Sequence, residues 1–201
     1  MRRFDKLERL TVFLDGASAS GKSTFKSRLM IDGRFHFVYA RRHTSRSPRP
    51  GDDEHDDYIF VNHSTFEEMK RNGSFVEYRD FLFGMSYGVS REEIARCQAI
   101  SDQVLALMNL GSVPVLRKTL PDATCVLIDA PFAAIEERLR SRGVHTEEQV
   151  SERLENARTA RRLASEYDFV FENVQDALDR SYETLAQFLL SRYEASGHAH
   201  A

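Results

Sequence analysis

The sequence predicts an α/β fold built on a mainly parallel sheet. Short apolar runs bounded by turn residues recur along the 201-residue chain, as in strands covered on both faces. Helical patterns, several opened by capping residues, fall between them. Buried strands alternating with helices are the pattern of an α/β protein.

In chain order, LTVFLD (10–15) is a buried strand ending at a glycine, and a helical pattern runs from Lys22 to about Met30. FHFVYA (35–40) and YIFV (58–61) are further strands. Ser64-Thr65-Phe66-Glu67 reads as a capping box opening a short helix that stops at Asn72-Gly73. SFVEYRDF (74–81) alternates apolar and polar residues, as an antiparallel strand does, and Ser90-Arg91-Glu92-Glu93 is a second capping box. VLALM (104–108) and TCVLID (124–129) are buried strands, and Pro131 to Arg142 is helical in pattern. Thr146-Glu147-Glu148-Gln149 caps the helix carrying Arg153, and FVF (169–171) is a last strand before a long C-terminal helix. The polar segment 44–90 interrupts the alternation and is expected to be an insert in a single domain, 1–201, whose core is 8–43, 91–137 and 156–194. Residues 195–201 are expected to fray.

Charge and composition narrow the function. With 28 basic and 31 acidic residues the net charge is −3, so a nucleic-acid-binding surface is not expected and any anion site is a local cluster. Cys97 and Cys125 lack metal-ligand spacing, and Cys125, inside ATCVLIDAP, reads as a buried thiol suited to a reducing cytosol. MRRFDKLERL has no apolar signal region and no run is long enough to span a membrane, so a cytoplasmic protein without a membrane partner is expected.

The strongest motif is Gly16-Ala17-Ser18-Ala19-Ser20-Gly21-Lys22-Ser23, followed by Thr24, which matches G-x-x-x-x-G-K-[ST] between a strand and a helix. Its glycines let backbone N–H groups turn toward phosphate oxygens, Lys22 adds a positive charge toward the β- and γ-phosphates, and the Ser23 hydroxyl suits Mg²⁺. Asp15, just before the loop, either orders Mg²⁺ through water or caps a turn.

A second segment, HTSRSPRPGDDEHDDYIF, sets Arg46 and Arg49 before an acidic run and Tyr58. Guanidinium forks bond phosphate bidentately and a tyrosine hydroxyl adds a neutral donor, although a charged run is also what a solvated loop looks like. In order and spacing, GASASGKST, TSRSPRPGDDEHDDYIFV, SFVEY, SYG and ERLRSRGVHTEEQVSERL resemble the guanylate kinase family, from about residue 10 to 190.

The resemblance implies the three-layer P-loop NTPase fold, an acceptor-binding subdomain at 44–90 and a lid at 138–155. It implies ATP as phosphoryl donor with Mg²⁺, and a small acceptor, GMP first. Arg46, Arg49 and Tyr58 would grip the acceptor phosphate. Arg138, Arg142 and Arg153 would close over the ATP phosphates; read alone, they also suit surface pairs with Glu136, Glu137 and Glu152. Asn173 matches a position near the adenine, or caps the last helix. Glu77 matches the glutamate that accepts from guanine N1 and N2, and Tyr87-Gly88 the family's Tyr-Gly.

Three positions depart from the family pattern. Val89 stands where Ser or Thr is usual and offers a base no hydrogen bond. VLALMNLGS lacks the strand aspartates, with Asn109 the nearest counterpart, and Arg42 fills a position usually held by a small hydroxyl residue. ARRHTSR, YGV and the Asn-containing strand are similar to ribose 1,5-bisphosphate phosphokinase, which makes a sugar phosphate the alternative acceptor. A non-catalytic binding module is the third reading. The retained Lys22, Ser23, Arg138, Arg142 and Arg153 favour an enzyme.

Overall fold

The computed structural model describes residues 9–49, 51–52, 56–81, 84–141, 143, 146–174 and 177–195. Strand β1 (Leu10–Asp15) is buried at every position. It pairs in parallel with β7 (Gln103–Leu107) on one side and β8 (Thr124–Asp129) on the other. β2 (Val38–Ala40) and β9 (Phe169–Glu172) complete a parallel sheet of order β2-β7-β1-β8-β9.

Alternation along the strands divides the core between the two faces. Val12, Leu14, Leu105, Leu107, Val126 and Ile128 meet Phe25 and Leu29 of α1 (Lys22–Ile31) and Leu185 and Leu189 of α7 (Leu178–Ala195). Phe13, Val104, Ala106, Cys125 and Leu127 face Ile94 and Cys97 of α3 (Arg91–Gln98), Val113 and Leu116 of α4 (Val113–Thr119), and Ala160 of α6 (Glu147–Arg162). Helix, sheet and helix form the expected three layers. A third cluster packs Ile135 and Leu139 of α5 (Phe132–Ser141) with Val150 and Ala157 against Ala17. That cluster seats α5 and α6 on the glycine-rich loop.

A second sheet has the order β4-β3-β6-β5: β4 (Tyr58–Phe60), β3 (Arg42–Thr44), β6 (Ser86–Ser90) and β5 (Phe75–Asp80). β5 and β6 are antiparallel, as the alternation in SFVEYRDF predicts, and β3 and β4 run parallel. The sequence pattern does not mark β3 or β6 as strands; β3 is short and polar, and β6, SYGVS, is interrupted by Gly88.

Several boundaries differ from the sequence reading. β2 starts at Val38 rather than Phe35 because the backbone of His36 is taken by side chains, donating to Gln103 Oε1 (2.8 Å) and accepting from Ser101 Oγ (2.8 Å). Asn62, not Ser64, caps α2 (His63–Arg71): its Oδ1 accepts from Thr65 N at 2.8 Å, while Glu67 is drawn to Lys70. Ser90 caps α3 through Glu93 N (3.1 Å), but the Glu93 carboxylate bonds Arg41 and Arg96 and does not close the box. Thr146 and Gln149 do form the full reciprocal box on α6. Cys97 and Cys125 are both free and buried. Among the described residues no helix is long and apolar enough to cross a membrane.

Candidate active site

The glycine-rich loop leaves β1 and enters α1 as the motif requires. Gly16 has φ +151°, and a Cβ there would lie 2.3 Å from the Ile128 carbonyl oxygen and 2.5 Å from Ser20 Oγ. Gly21 has φ +110°, and a Cβ there would lie 2.4 Å from Asn173 Nδ2. The non-glycine Ala19 also takes positive φ, 65°, at the loop crest, a strained geometry of the kind held at ligand sites. Ser23 and Thr24 are exposed in the first turn of α1, which carries no acidic residue to oppose an anion.

Among the described residues, three cations converge on this loop. Lys22 Nζ donates to the carbonyl oxygens of Gly16 and Ala17 (3.0 Å to the latter). Arg138, from α5, donates to Ala19 O at 3.1 Å, and Arg153, from α6, donates to Ser18 Oγ at 2.8 Å. Arg142 lies outside the described residues. Of the surface pairs weighed for Arg138, none occurs among the ion pairs of the described residues; it is Arg140 that pairs with Glu136.

The loop is braced from below. Asp15 is fully buried and accepts from Gly16 N (2.6 Å) and from the Tyr167 hydroxyl. Burial pushes its carboxyl up, against the charge of Lys22 and the bonds from Tyr167 and Gly16. Of the two roles open to Asp15, the turn cap is the one its bonds fill. Asn173 does not cap α7, which begins at Leu178; its amide donates to Ser20 O at 2.8 Å and pins the loop against β9. A Gly16→Ala variant is therefore expected to lose ATP binding and to be destabilised by about 1–3 kcal/mol, because the clash is with backbone at positive φ. Calorimetric ATP titration and thermal melting check both.

The second sheet gathers the other set. Arg46 is buried and forked onto Asp52, with both N–O distances 2.7 Å, and its guanidinium lies 4.8 Å from the Tyr58 ring centre. The Arg46 guanidinium holds the Asp52 carboxyl at about 2. Arg49 is exposed, and its backbone N–H bonds Asp52 Oδ2 at 2.5 Å. Arg42 lies between the Tyr58 and Tyr87 rings, at 5.2 and 5.4 Å, and donates to the Tyr58 hydroxyl at 2.9 Å. Its Nε is buried without a hydrogen-bond partner among the described residues.

Glu77, on β5, is fully buried. Asn109 holds it from just beyond β7: Nδ2 donates to both carboxylate oxygens (3.3 and 3.1 Å) and to Tyr87 O (3.0 Å). Burial pushes the Glu77 carboxyl up to about 7, against bonds from Ser112 and Asn109 and the charge of Arg42. The molecule thus carries a glycine-rich loop ringed by cations on the first sheet and, on the second, guanidinium groups and a tyrosine hydroxyl close to one buried carboxyl. The family model described as guanylate kinase matches residues 8–192.

The chain belongs to the guanylate kinase family. The guanylate kinase of Sus scrofa is 30% identical over 195 residues, 94% of this chain and 97% of that protein. The human guanylate kinase is 31% identical over 182 residues, 89% and 91% of the two chains. That of Thermus thermophilus is 29% identical over 185 residues, 92% and 82%. A solved guanylate kinase from Anaplasma phagocytophilum shares the fold, with a TM-score of 0.69 at 22% identity over 94% of this chain and 88% of its own.

Within the guanylate kinase family the departures now have places. Val89 stands across from Glu77 in the β5–β6 pairing and is fully buried in the second core cluster, so its side chain packs. Asn109 donates to Glu77 where an aspartate would repel it. The bracing partners are not evident in the sequence: Tyr167 on Asp15, Asp52 on Arg46, and Arg79, which donates to Leu110 O and ties β5 to the end of β7. Their partners are distant in sequence or one of several acids in a run, and no local pattern marks them.

Proposed function

We propose that this chain transfers the γ-phosphoryl group of ATP to the phosphate of GMP, giving GDP and ADP. The observation that carries the reading is the convergence of Lys22, Arg138 and Arg153 on one glycine-rich loop. Phosphoryl transfer needs positioning and charge neutralisation more than covalent chemistry, and these groups supply both. The acceptor phosphate is already an anion, so neither a nucleophilic side chain nor a general base is required. The loop N–H groups and Lys22 bind the ATP phosphates, and Asn173 keeps the loop in register near the nucleotide. The second sheet serves as the acceptor-binding subdomain, and residues 138–155, Arg142 included, as a lid that excludes water. Arg46, Arg49 and Tyr58 hold the acceptor phosphate, with Arg46 exchanging Asp52 for it.

The exposed Ser23 hydroxyl is the group of this chain that would hold Mg²⁺, which when bound would supply charge neutralisation to the nucleotide phosphates.

Glu77 selects the base in this reading. Ionised, it accepts from guanine N1–H and N2–H, whereas adenine presents an acceptor at N1. The mismatch costs about 1–3 kcal/mol. Because its carboxyl titrates near 7, GMP use should rise as pH passes through that range. Glu77→Gln should flatten that step and lose the GMP-over-AMP preference. The effect on stability has the opposite sense. A carboxyl raised on folding contributes stability that is full below its ordinary value of 4.5 and is lost as pH rises to about 7. Glu77→Gln should therefore gain on the wild type between about pH 5 and pH 8 in urea melts. A constant difference across that range contradicts the assignment.

One observation favours a second acceptor, ribose 1,5-bisphosphate: Arg42, with its buried unpartnered Nε, adds a cation beside Tyr58 and Tyr87. A second phosphate would use it. On that reading Glu77→Gln is nearly silent.

A further inference from the structure

A partly buried ion pair joins the helix of the glycine-rich loop to the second sheet. Lys26 lies one turn beyond Lys22 on α1, so the two lysines share a face of the helix. Its Nζ meets Asp57 Oδ1 at 2.5 Å, with the two side chains 11% and 17% exposed. Asp57 immediately precedes Tyr58, and its carbonyl accepts from Arg42 N at 3.1 Å, so it is built into the β3–β4 edge. The Lys26 ammonium also sits 4.9 Å from the ring centre of Tyr39, the middle residue of β2. From β2 the chain passes through Arg41 into β3.

Neighbouring residues on α1 are core: Phe25 and Leu29 are buried in the apolar cluster. A buried ion pair is weak evidence for stability, because desolvation offsets most of its attraction. What this pair does have is a place. One end is fixed to the helix that presents Lys22 and Ser23, and the other to the strand start that carries Tyr58, beside which Arg42 and Arg46 lie.

We propose that Lys26 is a positioning residue: through Asp57 and across Tyr39 it holds the acceptor-phosphate grip at the separation from the phosphate loop that in-line transfer needs. This rests on the phosphoryl-transfer reading above. A displaced grip would leave each substrate bound but the attacking oxygen misplaced. The signature is thus a loss of kcat rather than of affinity for ATP.

The test compares Lys26→Met, Asp57→Asn, their combination and Lys26→Arg with the wild type, using Mg-ATP and GMP. Each single variant should lower kcat about 10- to 100-fold, the scale for a small misplacement. ATP affinity by calorimetry should stay within about twofold. The combined variant should be no slower than the worse single one, since both break the same link. Lys26→Arg should recover most of the rate. Variants that melt earlier yet turn over at the wild-type rate would overturn the proposal and leave a merely structural pair, as would effects on kcat that multiply. Should Lys26→Met fail to fold, Asp57→Asn, near-isosteric and at the edge of solvent, decides by the same two readouts. A wild type that transfers to no acceptor brings down the phosphoryl-transfer reading and this inference together. An active wild type with unaffected variants brings down the inference alone.

Discussion

Lys22→Ala should lose at least about 10³-fold in kcat/KM, the upper range for removing one preorganised charge from a transition state. Its fold should persist. The Lys22 ammonium donates to the Gly16 and Ala17 carbonyls at the start of an otherwise well-braced loop. Those carbonyls lose a donor worth about 1 kcal/mol, while Asp15, Tyr167 and Asn173 still hold the loop at both ends. The charge, by contrast, has no substitute from the same direction among the described residues: Arg138 and Arg153 reach the loop from α5 and α6. Steady-state kinetics with Mg-ATP, beside thermal melting, separate the two effects. Turnover near the wild-type rate would remove the enzyme assignment.

Arg153→Ala should lower kcat about 10²- to 10³-fold while weakening ATP binding far less. Arg153 rides on α6, whose start is fixed by the Thr146–Gln149 box and whose middle is fixed by Val150 and Ala157 packing on the loop cluster. Its guanidinium is thereby delivered to Ser18 Oγ on the glycine-rich loop. A group that neutralises charge in flight acts mainly in the transition state, so its loss appears in kcat. Arg153→Lys should recover only a minor part, because an ammonium lacks the planar fork. A pure loss of ATP affinity with normal turnover at saturation would mean that Arg153 binds ground-state ATP only.

Much of this is legible in the sequence, and unevenly so. β1, β7 and β8 are covered on both faces, so their sequences are continuous apolar runs and read as strands at once. The phosphate loop is legible because its chemistry demands fixed residues at fixed spacing. β3 escapes because it is only three residues long and polar, with Arg42 drawn from the candidate site itself, and β6 because Gly88 and its two serines break up the apolar pattern. α4 is hidden because Pro114 stands in its first turn, where it suits a helix start but reads as a break. Arg46 is expected as a phosphate ligand, but its fork onto Asp52 is not, since GDDEHDD offers several acids and only the folded loop selects one. Lys26 reads in sequence as an ordinary helix lysine. Only the tertiary structure brings Asp57, thirty-one residues away, to its ammonium.

The measurement that bears most directly on the central claim is an acceptor panel: purified protein, Mg-ATP, and GMP, dGMP, AMP, UMP, CMP or ribose 1,5-bisphosphate, with both products quantified. Equimolar GDP and ADP are expected with GMP, with weaker use of AMP and no turnover of the sugar bisphosphate. Turnover of ribose 1,5-bisphosphate without turnover of GMP would contradict this and shift the acceptor assignment from Glu77 to Arg42.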